Sequence, residues 1–139
     1  MSRTTFIRFG LWYLAITSAY VAIWILLAPK GFYDSFPTGP GEWVSALPPY
    51  NEHLERDFGA AGLGLAVLAA LAAIWMDRRL VLATAIAFLF ASIPHLAYHL
   101  TTTENYSTGD NVQSLIGLAL PVLISLGLLA VSRAPRAAA

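Results

Sequence analysis

LVLATAIAFLFASIPHLAYHLTTT, the stretch Leu80–Thr103, contains no Asp, Glu, Lys or Arg. Three further runs share that property: Phe9–Pro29, Phe58–Met76 and Asn111–Ser132. Each is about the length of helix that crosses a hydrocarbon core roughly 30 Å thick. The chain therefore reads as all-α, a single domain over residues 1–139 forming a four-transmembrane-helix bundle. The expected helices cover about 8–28, 52–76, 80–100 and 111–132.

Composition agrees. The chain is 58% hydrophobic and 12% charged, with mean hydropathy +0.64, where a soluble domain carries about 25% charged residues. It has no cysteine, which excludes disulfides, thiolate metal sites and thiol–disulfide chemistry in this chain. Its formal net charge is zero, so no global field draws in nucleic acid. The first apolar run follows Arg3 and Arg8 as a secretory signal would. It is nevertheless longer than the 7–15 residues typical of a signal core. It also holds Trp12, Tyr13, Tyr20 and Trp24 and no small-x-small cleavage site before Lys30, so it reads as a retained transmembrane helix.

Charge sets the orientation. Arg3, Arg8, Arg78, Arg79, Arg133 and Arg136 fall on one side of the four runs with a single acid, Asp77. The other side holds Asp34, Glu42, Glu52, Glu55, Asp57, Glu104 and Asp110 with only Lys30 and Arg56. Cytoplasmic loops are enriched in Lys and Arg. Both termini are therefore expected inside a plasma (inner) membrane, with the 30–57 and 101–110 connections outside. The bilayer is the first partner.

The connection from Lys30 to Tyr50 contains Pro37, Gly39, Pro40, Gly41, Pro48 and Pro49, interleaved with Phe32, Tyr33, Phe36, Trp43 and Tyr50. Pro and Gly oppose a continuous helix, and Trp and Tyr favour the headgroup level. A long aromatic outer loop capping the bundle is expected. Asn51 follows Pro48-Pro49 and suits the N-cap of the second helix. Glu52, Glu55 and Asp57 suit its positive end. Gly62, Ala66 and Ala70 form a small-xxx-small ridge that admits a close helix neighbour, or a second copy or membrane-complex partner. On the third helix Ala87, Ala91 and His95 lie near one face, which directs His95 into the bundle. Pro94 removes a backbone donor beside it. The tail, Ser132–Ala139, is expected to be disordered on the inner surface.

This topology gathers Asn51, Glu52, His53, Glu55, Arg56 and Asp57 with His95, Tyr98 and His99 in one outer layer. Ionisable groups at membrane depth are costly and mark paired or functional sites. His95 and His99 are four apart, as are His53 and Asp57, so each pair can reach one ion. His53, Asp57, His95 and His99, with Glu55 as the substitute carboxylate, form an expected metal site. Nitrogen and oxygen ligands of this kind suit Zn, Fe, Mn or Cu(II). Asn51, Glu52, Glu55, Arg56 and Tyr98 are the expected supporting contacts. Haem fits less well, needing His53 with His95 or His99 on opposed helices.

Rival readings stay open. Glu52 and Arg56 form an i, i+4 ion pair in the favourable order, and the whole cluster can equally be a hydrogen-bonded lock between helices. It can also be a small-ligand or proton-handling pocket, the register-fixing part of an assembly subunit, or an acid–base pair acting on a lipid or quinone head group. Neither a phosphate loop nor a serine-nucleophile elbow is present.

The segment Pro49–Ala60, PYNEHLERDFGA, resembles one in small bacterial four-helix membrane proteins, and the layout of the whole chain resembles the DoxX-like group. The resemblance implies a four-helix membrane fold and points to Asn51, Glu52, His53, Arg56 and Asp57. As in some DoxX-like members, it also implies partnership with quinone-linked or thiol redox enzymes. The thiol version has no cysteine to act through here.

Overall fold

A computed structural model describes residues 2–37, 43–47 and 49–133. The centre of the expected outer loop (38–42 and 48) and the tail beyond 133 lie outside the described residues. Among the described residues five helices follow in order: α1 (Arg3–Leu27), α2 (Pro29–Ser35), α3 (Glu52–Trp75), α4 (Arg78–Thr101) and α5 (Thr108–Arg133). No strand occurs among the described residues. Among the described residues four helices, α1, α3, α4 and α5, are long and apolar enough to cross a membrane.

Local chemistry sets the ends. Ser2 Oγ accepts from Thr5 N at 3.1 Å, which starts α1 before its apolar run. Asn51 Oδ1 accepts from Leu54 N at 3.1 Å and caps α3 as the sequence indicates. Asp77 Oδ1 does the same for Leu80 N at 3.0 Å. Met76 closes α3 in the left-handed region at φ 55°, so Met76 and Asp77 alone turn the chain into α4, and Arg78 and Arg79 belong to that helix. Ser107 Oγ accepts from Asp110 N at 3.1 Å at the start of α5.

One departure is α2, where an irregular segment was expected. Pro29 stops α1 but sits at the first turn of the next helix, where its missing N–H leaves no bond unmade. Pro29 and Phe32 are buried there, and Lys30 pairs with Asp34 along the exposed side.

The four long helices form an antiparallel ring in which α1 touches α3, α3 touches α4, α4 touches α5 and α5 returns to α1. Contact is most extensive between α1 and α3 and between α4 and α5. Gly59, Ala66, Ala69, Ala72 and Ala73 are the buried residues of α3, with Gly62 and Ala70 half-buried beside them. Small side chains let the α1 backbone come close. A Cβ placed on Gly59 would lie 2.8 Å from Ile25 Cγ2, and one on Gly62 would lie 3.5 Å from Ala22 Cβ.

The connected core cluster lies at one end, while Ala22, Ile25 and Phe32 are buried toward the other. Ile7, Leu11, Leu14 and Ala15 of α1 meet Ala69, Ala72 and Ala73 of α3, Val81, Ala85 and Phe88 of α4, and Leu128 of α5. These residues surround the Met76–Asp77 turn, and this is termed the basal end. Above Phe88, no residue of α4 is buried until His99. The seam between α3 and α4 is therefore filled at its base and open distally. The small-residue face expected on α4 is displaced: Ala91 is exposed, and the core-facing stripe is Val81, Thr84, Ala85 and Phe88.

Gly59→Ala is expected to destabilise the bundle by about 1–3 kcal/mol through overpacking against buried Ile25. Gly64→Ala, whose added Cβ meets nothing within 4 Å, is expected to be neutral or stabilising by up to about 1 kcal/mol. Thermal unfolding of both variants in the same detergent checks the pair.

Candidate functional site

At the distal end of α3 most charges are engaged locally. Arg56 donates from Nε to Glu52 Oε1 at 2.9 Å and from Nη2 to the same oxygen at 2.8 Å. Its Nη1 reaches across to the Leu26 carbonyl at 3.0 Å, one of the last carbonyls of α1, which have no partner within the helix. A guanidinium there suits the negative helix end. Glu52 and Arg56 thus tie α3 to α1. His53 Nε2 lies 3.4 Å from Asp57 Oδ2, with the two side chains 87% and 63% exposed, so this pair faces away from the bundle.

His95 and His99 stand on the opposite wall, with ring centroids 5.1 Å apart. Seven residues from Phe88 bring His95 about 20° short of two turns, and eleven bring His99 about 20° past three. Both therefore continue the face that Phe88 turns to the core. His95 is exposed nonetheless, and His99 is the buried member at 9%. The reason is the open seam: across from His95, α3 offers the Phe58 ring at 6.1 Å. Tyr98 packs edge-on against His99 at 5.5 Å, and Tyr106 packs on it at 6.0 Å. Among the described residues, neither imidazole has a hydrogen-bond partner.

Glu55 is the one acid of this part of α3 without a hydrogen bond or ion pair among the described residues, and it is half-buried. At about 100° per residue it falls between Phe58, which meets α4, and Gly59, which meets α1. It lies about one turn distal to Phe58.

A second set of contacts closes the distal end. Trp24, Phe32, Phe36 and Trp43 stack in sequence with centroid separations of 5.7, 4.7 and 6.0 Å. Trp43 then crosses to the α4–α5 connection. Its indole Nε1 donates to Asp110 Oδ1 at 2.9 Å, and its carbonyl accepts from the Tyr106 hydroxyl at 2.6 Å. Ser107 Oγ donates to Asp110 Oδ2 at 2.6 Å. Burial, and secondarily the nearby Tyr98, push the Tyr106 hydroxyl above its ordinary value, which keeps it a donor. Tyr106 thus joins the bridge to the His99 ring.

The structure brings His95, Tyr98 and His99 together, leaves Glu55 half-buried on α3, and places Asn51, Glu52 and Arg56 in the α3 cap and its tie to α1. It puts His53 and Asp57 on the outside of α3. Among the described residues no three His, Asp or Glu side chains converge as a group able to hold a metal ion. The sequence places Trp43 in the outer aromatic loop and Asp110 among the outer acids without pairing them, and gives Phe58 and Tyr106 no role. The available signal was an indole N–H in an apolar segment, which needs an acceptor, and an acid in the short connection at the same level. No protein-family model, curated protein or solved structure matches the chain.

Asp110→Asn is expected to weaken the bridge, since a charged acceptor becomes neutral. Hydrogen exchange of residues 43–47 and 103–111 should quicken while the basal core keeps its protection; equal loss at both ends would contradict this division.

Proposed function

We propose that this chain is a four-span plasma-membrane protein, with both termini cytoplasmic, that binds a small ligand at its outward end. The ligand would sit in the seam between α3 and α4. The observation that carries the reading is the pair of imidazoles, His95 and His99, turned to the core side of α4, in contact with each other and with Phe58, Tyr98 and Tyr106, and without hydrogen-bond partners among the described residues. His95 is exposed and His99 buried, so the pair can be reached from outside, and a ligand would supply its hydrogen-bond partner. The membrane orientation rests on the six Arg residues assigned to one side and the acids gathered on the other.

A transition-metal ion (Zn, Fe, Mn or Cu) is the second reading, favoured by the 5.1 Å separation of the His95 and His99 rings. Such an ion would take two nitrogen ligands from the chain and complete its shell with water or a partner's donors.

Elemental analysis and small-molecule mass spectrometry of protein purified in mild detergent test both readings, beside a His95→Ala/His99→Ala variant. A stoichiometric species present in the wild type and absent from a variant of unchanged thermal stability is expected. No bound species and a destabilised variant would make the cluster a structural lock. Orientation is tested by single cysteines in this cysteine-free chain. Glu104→Cys should react with a membrane-impermeant maleimide on intact cells, and Arg79→Cys only after permeabilisation.

A further inference from the structure

Of the two imidazoles on α4, His95 is exposed and His99 is buried. What covers His99 comes from outside the core. No residue of α4 between Phe88 and His99 is buried. Its ring lies against His95 and Tyr98 of its own helix and against Tyr106 of the α4–α5 connection. Tyr106 is itself held from across the molecule. Its hydroxyl donates to the Trp43 carbonyl at 2.6 Å, and the Trp43 indole donates to Asp110 of the same connection at 2.9 Å. Trp43 is tied in turn to the end of α2. Its backbone N–H donates to the Phe36 carbonyl at 3.2 Å, and its ring packs edge-on against Phe36 at 6.0 Å. One residue thus joins the α1–α2 side to the α4–α5 side at the end where the α3–α4 seam is open.

The join is superficial. No residue of 43–47 or 101–110 is buried, whereas the basal cluster draws on all four long helices. Segments with few buried apolar contacts open at a lower free energy than the core. The α4–α5 connection also has bonds of its own: Asn111 Nδ2 donates to the Thr103 carbonyl at 2.9 Å, and Ser107 Oγ donates to Asp110 Oδ2 at 2.6 Å. It therefore keeps its shape when its bonds to Trp43 break. We infer that Trp43 is a latch. While its two hydrogen bonds to Tyr106 and Asp110 hold, Tyr106 stays on His99; when they are lost, the His99 ring is uncovered without unfolding of the bundle. As a control on ligand access, the latch rests on the ligand-binding reading above. An entering ligand meets His95 with the latch closed and reaches His99 only with it released.

The test labels the full chain in nanodiscs with diethylpyrocarbonate, which acylates neutral imidazole. Tandem mass spectrometry reads the rate at each of the three histidines. The Trp43→Phe/Tyr106→Phe variant removes both donors of the latch and keeps both rings. Each lost hydrogen bond moves an opening equilibrium by roughly twofold to tenfold. Labelling of His99 is therefore expected to quicken about fivefold or more, with the rates at His53 and His95 unchanged. Where the double variant loses thermal stability, Tyr106→Phe alone takes its place, with the same selective rise at His99 expected. An unchanged His99 rate overturns the inference, and so does an equal rise at His95 and His99, which marks general loosening. Labelling does not depend on a ligand, so the two readings fail separately. A selective rise at His99 in a protein that carries no bound species upholds the latch and removes the ligand-binding reading. A bound species with His99 labelling indifferent to these variants does the reverse.

Discussion

The close approach of α1 to α3 is the contact on which the other features rest. Apolar helices in lipid gain little from hiding apolar surface, so they associate where small residues let backbones meet and dispersion contacts accumulate. Gly59, Gly62 and Ala66 supply that surface on α3, and Ala22 and Ile25 fit against it. Arg56 fastens the same pair at its distal end through the Leu26 carbonyl. Because α3 commits this face to α1, it meets α4 over a narrower strip. The core cluster at the base of that strip ends at Ala69 on one helix and Phe88 on the other.

The open distal seam is a consequence. α4 keeps its core-facing direction beyond Phe88, so His95 and His99 are presented toward a space that α3 does not fill. An apolar residue at either position would simply continue the core. Imidazoles there add polar groups that have no hydrogen-bond partner among the described residues. The bridge from Trp43 to Asp110 and Tyr106 holds the end of this column in place, since Tyr106 contacts both His99 and the Trp43 carbonyl. The basal core and the polar distal seam thus occupy opposite ends of the same helices.

Much of the architecture was legible because it is local. Charge-free runs located the four long helices, the Asn51 cap followed from its place after two prolines, and the i, i+4 spacing of Glu52 and Arg56 gave their ion pair. The helix Pro29–Ser35 was not legible, because a proline both stops one helix and starts the next and the sequence pattern favours neither role. The grouping of His53 and Asp57 with His95 and His99 followed from a correct level in the bundle. Level does not fix direction around the helix axis, and His53 and Asp57 point outward while Glu55, two residues from each, lies over the interior. The Trp43–Asp110 bond joins residues 67 apart in sequence, and Phe58 looks like any other residue of an apolar run. Such contacts depend on the final packing and leave no periodic trace.

Only three histidines occur in the chain, so a ring-resolved histidine NMR spectrum of the protein in nanodiscs reports on the site directly. The expected result has two parts. A water-soluble relaxation agent broadens His53 strongly and His99 little, and the His99 ring shows contacts to both His95 and Tyr106. Equal broadening of His53 and His99, or no His99–Tyr106 contact, would contradict a shielded imidazole column in the α3–α4 seam.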